Sequence, residues 1–239
     1  MRAHLILPIA ISLGLLACSR TPAPPAPDPA AVAKADAEAK ANKQLALYEQ
    51  MRNGGSADIA VNLGDEIVKS YPNTSAAAQV QKTLGEVRDK AKRETESKRL
   101  SRLWAYNSVP EAGGIQYSAA IASKESLPGN ARIRLVLRQH PKWGQSVYLL
   151  LDNATFDCSK GCATLPVAFD DAPAQRMKAT IPPTGEPALF IDDDKGFIAK
   201  MEKAQKVSID VNIFKVGAKT EVFEVGGYDA SKMPNKPKK

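Results

Sequence analysis

Cysteine is scarce in this chain, with three in 239 residues, and histidine scarcer still, with two. One histidine, His4, lies in the apolar leader, so His140 is the only one left for chemistry in the remainder. A zinc site built on Cys158 and Cys162 would lack two ligands. The chain also lacks a glycine-rich phosphate loop and any apolar run of the roughly 20 residues that a membrane-spanning helix needs. Its longest apolar stretch, "LILPIAISLGLLA" at residues 5–17, follows Arg2 and has the length of an export signal. Nucleophilic catalysis needs a nucleophile, a base and a group that orients the base, and no such set is visible. His140 precedes Pro141 in "RQHPKWGQ", a stretch that reads as a hairpin turn at the surface. Asp170-Asp171 and Asp192-Asp193-Asp194 sit in "FDDAP" and "IDDDKG", where aspartate serves local backbone hydrogen bonds. The reading is therefore of a protein that is not an enzyme, with no catalytic residue, metal or cofactor assigned.

What the chain does have begins at "LGLLACSRTPAPPAPDP". Leu15-Leu16-Ala17-Cys18 resembles the bacterial lipobox. That resemblance implies removal of residues 1–17, lipidation of Cys18 and, with Ser19 next, delivery to the outer membrane facing the periplasm. Each buried lipid CH₂ contributes roughly 0.8 kcal/mol, so several acyl chains form a stable anchor. Five prolines between Pro22 and Pro29 make residues 18–32 a semi-rigid spacer.

The net charge of +7 is unevenly placed. Residues 33–103 carry +3, residues 104–230 carry −1, and the tail 231–239, read as a basic disordered end, carries +4. A basic tail suits weak attraction to anionic lipid or wall polymer. Nucleic acid is not an expected partner of an exported protein.

Residues 33–103 read as helical, rich in Ala, Lys, Glu and Gln. Asn53-Gly54-Gly55 ends a first helix. Ser56 can cap a second whose Ile59, Ala60, Leu63, Ile67 and Tyr71 share a face, and Thr74 or Ser75 can cap a third through Val80, Leu84 and Val87. The charged stretch 88–102 reads as a solvated helix. "IAVNLGDEIVKSYPNTSAAAQVQ" resembles part of a tetratricopeptide array, which implies protein binding, while a plain helical hairpin or stalk accounts for the same residues.

From Trp104 the texture changes to short strands separated by turns, one face apolar and one wet. Ile133, Leu135 and Leu137 alternate with Arg132, Arg134 and Arg138. Residues 104–230 thus predict one antiparallel β-sandwich, interrupted by an amphipathic helix with Phe197, Ile198, Met201 and Ala204 on one side. In an oxidising compartment Cys158 and Cys162, in "FDCSKGCATLPV", are expected to form a disulfide at the mouth of a hairpin. "WAY", "ARIRLVLRQHPKWGQSVYLLL", the cysteine pair, "VAFDD", "ALFIDDDKGFIAKMEKAQKVSIDVNIFKVG" and "VFEVGGYD" together resemble the periplasmic β-sandwich of type VI secretion-associated VasI/TagO-like proteins. Where those proteins show a second tryptophan near the end, this chain has Gly226-Gly227-Tyr228.

The expected fold class is α+β. The expected role is a tethered protein-binding or scaffolding module of the cell envelope, its possible binding face made by Arg132, Arg134, Arg138, Trp143 and Tyr148. A peptidoglycan- or glycan-binding module is the alternative, and a hydrolase accessory or inhibitor the second. Replacing Cys18 by Ser is expected to move the protein from the membrane to the soluble fraction. Unchanged fractionation would refute the lipid anchor.

Overall fold

The computed structural model describes residues 28–159, 161–183 and 185–234; the lipobox and Cys18 lie outside the described residues. The described chain is α+β, three helices followed by a nine-stranded antiparallel sheet with a fourth helix inserted. Among the described residues no helix is long and apolar enough to cross a membrane.

Helix α1 spans Pro29–Gly54, α2 Ala57–Ser70 and α3 Ser75–Ser101. Helix α1 starts before the expected residue 33. Proline at the first helical position gives up an amide that has no partner there anyway, and the Asp28 carboxylate accepts from the Ala30 amide. Residues 29–32 therefore belong to the helix and not to the spacer. At its other end Gly55 takes the left-handed conformation, φ +95°, that lets its amide reach the Met51 carbonyl. Thr74 caps α3, its hydroxyl accepting from the Ala77 amide.

Short connections bring the three helices together around one core of Ala41, Leu45, Tyr48, Ala57, Ala60, Ile67, Ala76, Ala77, Val80, Leu84 and Val87. The buried line of α2 is Ala57, Ala60, Gly64 and Ile67, while Ile59, placed on that face from its spacing, is 46% exposed. Small residues let α2 lie close to both neighbours. A Cβ on Gly64 would stand 2.7 Å from Leu84 Cδ1 and 3.0 Å from the Tyr48 ring. Beyond Val87 only the partly buried Ala91 still packs on this core, and residues 88–99 of α3 contain no fully buried side chain. This solvated stretch matches the reading from its charges.

The strands are β1 (Trp104–Glu111), β2 (Gly114–Ala122), β3 (Arg132–His140), β4 (Gly144–Asp152), β5 (Thr164–Phe169), β6 (Gln175–Thr180), β7 (Ala188–Ile191), β8 (Val207–Ile213) and β9 (Gly217–Phe223), with α4 at Asp194–Met201. Their order across the sheet is β1-β2-β3-β4-β7-β6-β5-β8-β9, every pairing antiparallel. Ile133, Leu135, Leu137, Ile209, Val211 and Ile213 point inward as their alternation requires. Burying each such side chain contributes about 1.5–3 kcal/mol, so burial and not surface charge fixes the register. Phe197, Met201 and Ala204 of the α4 segment enter the same core.

The sheet bends until its two ends meet. The Lys124 amide after β2 donates to the Val222 carbonyl on β9 at 2.7 Å, and the Trp104 indole N–H donates to the Val225 carbonyl at 3.3 Å. The core also takes in Met233, 5% exposed, so the domain runs past residue 230 into the segment expected to be tail. The cysteine pair forms a disulfide with a Cα–Cα distance of 5.1 Å. Its flanks are not a hairpin, however. Phe156 bridges to Ile213 on β8, and β5 pairs with β6 and β8, so both flanks lie along β8 and the disulfide closes the loop between them.

Where α3 meets the sheet domain, a turn at Val225–Gly227 lies against its last residues. A Cβ on Gly227 would overlap the Leu100 carbonyl carbon and the Ser101 nitrogen. Arg99 pairs with Glu96 and Glu224 at 2.7 and 2.8 Å, and the hydrogen bonds from Arg99 hold the Glu224 carboxyl below the usual carboxylate range. Exposed pairs of this kind contribute about 0–1 kcal/mol, so the backbone approach and the burial of Leu100 decide the geometry of the joint.

Two stability predictions follow from this packing. Gly227→Ala should lower unfolding free energy by about 1–3 kcal/mol, since backbone atoms cannot recede as a side chain can. Gly226→Ala meets only the Gln205 side chain and should cost clearly less in the same urea titration. Glu221, 4% exposed on β9, sits beside Ser123, Glu125 and Lys219. Burial pushes its carboxyl pKa up, the Ser123 hydrogen bond opposing. The folded state therefore holds the proton longer than the unfolded chain, and this residue's contribution falls as pH rises from the ordinary carboxylate range to the raised value. Relative to the native chain, Glu221→Gln should gain stability across that window and hold the gain at higher pH. A urea-midpoint series against pH measures it, and an unchanged difference between pH 4 and 7 would contradict it.

Candidate functional site

The outward face of β3 carries Arg132, Arg134, Val136 and Arg138, because residues two apart on a strand share a side. Across β4 their register partners are Asp152, Leu150, Tyr148 and Ser146. One strand further, Phe190 on β7 stands opposite Tyr148. The structure gathers three of the five expected face residues, Arg138, Trp143 and Tyr148, and adds Phe190. The Arg138 guanidinium carbon lies 5.6 Å from the centre of the Trp143 indole, 5.4 Å from Tyr148 and 6.0 Å from Phe190. Tyr148 and Phe190 pack with ring centres 4.8 Å apart. Nε of Arg138 donates to Ser146 Oγ at 3.1 Å. Among the described residues no carboxylate comes within 4 Å of this guanidinium, and its terminal amino groups meet no acceptor. Burial pushes the Tyr148 hydroxyl pKa up, with Arg138 and Arg134 acting against the shift.

The other two arginines stand apart from this cluster. Arg134 is paired with Asp152 at 2.7 Å, and its buried Nε has no partner among the described residues. Arg132 lies six residues from Arg138, about 20 Å along an extended strand.

Trp143 is 66% exposed and held from below. The β3–β4 turn closes between His140 and Gly144, and His140 Nδ1 accepts from the amides of Lys142 at 3.0 Å and Trp143 at 3.2 Å. The imidazole then stacks on the indole with centres 3.9 Å apart. His140 is 6% exposed, contrary to its expected surface position, because the turn folds over it. Its role here is to organise a turn and prop an aromatic platform. Phe190 escaped the sequence reading because β7 follows β4 by some 35 residues, a pairing that no local spacing signals.

The aspartate runs act as turn fasteners. Asp170 Oδ1 accepts from the amides of Gln205 and Lys206 at 2.7 and 2.9 Å, and Asp171 pairs with Lys206. Asp193 caps α4 through the Gly196 amide, and Asp192 accepts from the Thr180 hydroxyl. Among the described residues no three His, Cys, Asp or Glu side chains gather into a metal-binding group.

Replacing His140 by Ala should free the indole. Amide exchange at Lys142 and Trp143 is expected to quicken about fivefold, as the loss of a hydrogen bond near 1 kcal/mol predicts. Exchange unchanged at both amides would remove the histidine's organising role.

No family model matches this chain, and the search of curated proteins finds no match. Among solved structures it is similar to the crystal structure of invasion associated protein B from Bartonella henselae, at 12% identity and a TM-score of 0.37, over 55% of this chain and 89% of that one. A similarity at that level says nothing of what this chain binds or does.

Proposed function

We propose that this protein is a non-catalytic binding module of the bacterial envelope. In this reading it is anchored by lipid on Cys18 in the outer membrane, faces the periplasm and engages a protein partner through the Arg138 face. The observation that carries the proposal is the cluster itself: an arginine with no carboxylate partner among the described residues, framed by three aromatic rings on the outer side of a sheet. Arginine, tryptophan and tyrosine are the residue types that dominate binding energy where they cluster. Adjacent strands and the stacked His140 fix these side chains before any partner arrives, which lowers the entropic cost of binding.

The remaining architecture suits presentation. The sheet, read as a sandwich whose two halves close over one core, is a rigid support. The helical segment, resembling tetratricopeptide repeats in part, serves as a stalk, since all three helices contact one another around a closed core. A lipid anchor with a short spacer raises the local concentration of such a module at the membrane to the millimolar scale. A glycan-binding role is the second reading, favoured by the exposed Trp143 indole, a surface on which a sugar ring can stack.

Site-specific photocrosslinking in cells separates the readings. A crosslinker at Tyr148 should give a discrete protein adduct that Arg138→Ala removes, while one at Lys92 on the exposed part of α3 should not. Retention of the chain on purified peptidoglycan, lost on Trp143→Ala and with no protein adduct, would replace the first reading by the second.

A further inference from the structure

Among the described residues Arg138 is the arginine that lies over three rings; Arg52 and Arg176 also have no carboxylate, but Arg52 faces one ring and the Asn53 amide oxygen, and Arg176 a threonine hydroxyl. Arg88, Arg99 and Arg134 each have a carboxylate from within the chain, whereas the guanidinium of Arg138 is held by rings and one hydroxyl. Rings stabilise the charge without neutralising it, and they displace water from the plane of the group. Arginine presents its donors as a rigid planar fork that matches the two oxygens of a carboxylate. With Nε committed to Ser146, the terminal amino groups of that fork meet no acceptor among the described residues. The nearby charges lean the same way: Arg134 is matched by Asp152, Arg138 and Arg134 both act on Tyr148 against Glu186, and Lys142 adds a further positive charge in the adjoining turn.

The geometry around the fork narrows the occupant further. Trp143, Tyr148 and Phe190 lie within 5.4–6.0 Å of the guanidinium carbon. In an extended segment, side chains on one face repeat every two residues, roughly 6.6–6.8 Å. A carboxylate on Arg138 would thus bring apolar neighbours two positions away within reach of the Trp143 indole and of the Phe190–Tyr148 pair. A small free anion would use the fork and leave the rings uncovered. A neutral sugar would use the indole and leave the charge unmatched.

Building on the protein-binding reading above, we propose that the partner docks an extended acidic segment here, an Asp or Glu flanked at both second neighbours by apolar residues. Its carboxylate takes the terminal amino groups of Arg138, and its apolar side chains cover the Trp143 indole and the Phe190–Tyr148 pair.

The test is selection of random dodecapeptides on the purified chain, followed by a double-mutant cycle. Enriched peptides should share an acidic residue with apolar residues two positions away on each side. Arg138→Gln in the protein, or Glu→Gln at that peptide position, should each weaken binding at least tenfold. The two changes together should do little more than either alone, which marks a direct pair. Arg138→Lys should restore only part of the affinity. Far-ultraviolet circular dichroism matching the native chain keeps the variants interpretable. Selected peptides that depend on Trp143 and Tyr148 but carry no common carboxylate would overturn this inference and leave the protein-binding reading in place. Selection of no peptide, or of peptides indifferent to Arg138, Trp143 and Tyr148, would overturn both. Arg138-dependent retention on peptidoglycan with no peptide selected would do the same in favour of a glycan.

Discussion

At Gly227 one segment of backbone passes where a side chain has no room. The carbonyl of Leu100 and the amide of Ser101 occupy the space that a Cβ would need. That approach brings the last turn of α3 against the Val225–Gly227 turn, two residues beyond the end of β9. It also lets Trp104, which opens the sheet, reach the Val225 carbonyl and pack against Tyr228 with ring centres 5.1 Å apart. The first strand of the sheet and the turn after its last strand are thereby held on the same helix end. Burial and nearby acidic groups raise the Tyr228 hydroxyl pKa to about 12, as expected of a ring in a closed seam.

The Arg138 face inherits its order from that closure. Its side chains belong to the three neighbouring strands β3, β4 and β7, and the inner faces of those strands fill the core that the seam completes. Leu135, Leu137, Val147 and Leu149 go in; Arg138, Tyr148 and Phe190 are thereby placed outside. Surface ion pairs are too weak to set such an arrangement, and Arg134–Asp152 is better seen as its result than its cause.

Much of this was legible from the order of residues alone, because strands buried on one side advertise themselves by alternation. Trp104 as the start of the β-rich part, the β3–β4 hairpin, the turn aspartates and the α4 segment all follow from local pattern. Three kinds of feature were not legible. Helix faces defined by small residues mislead a reader who follows large ones: Ile59 is exposed because Ala57, Ala60 and Gly64 make the contact. Pro29 reads as one more proline in a spacer unless Asp28 is recognised as a cap. Non-local pairings leave no spacing to read, so Phe190 was missed, and the segments flanking the cysteines were joined to each other when both pair with β8, β5 pairing also with β6. His140 shows a fourth limit, since only the folded turn reveals that a histidine lies inward with Nδ1 facing two amides.

The uncovered stretch of α3 between residues 88 and 99 has a geometric consequence. An α-helix turns by about 100° with each residue and closes nearly two full turns in seven. With the joint fixed at Leu100 and Gly227, the angle at which the helical bundle stands around the sheet domain follows from the number of residues in that stretch, since no side chain there is fully buried. Side-chain chemistry along it can drift with small effect on either core. A single insertion or deletion would swing one body around the other by more than a quarter turn, whereas a change of seven residues would alter their separation by about 10 Å and nearly keep their phase. For a module whose binding face looks in one direction, the count of residues in this rod is a structural parameter in its own right.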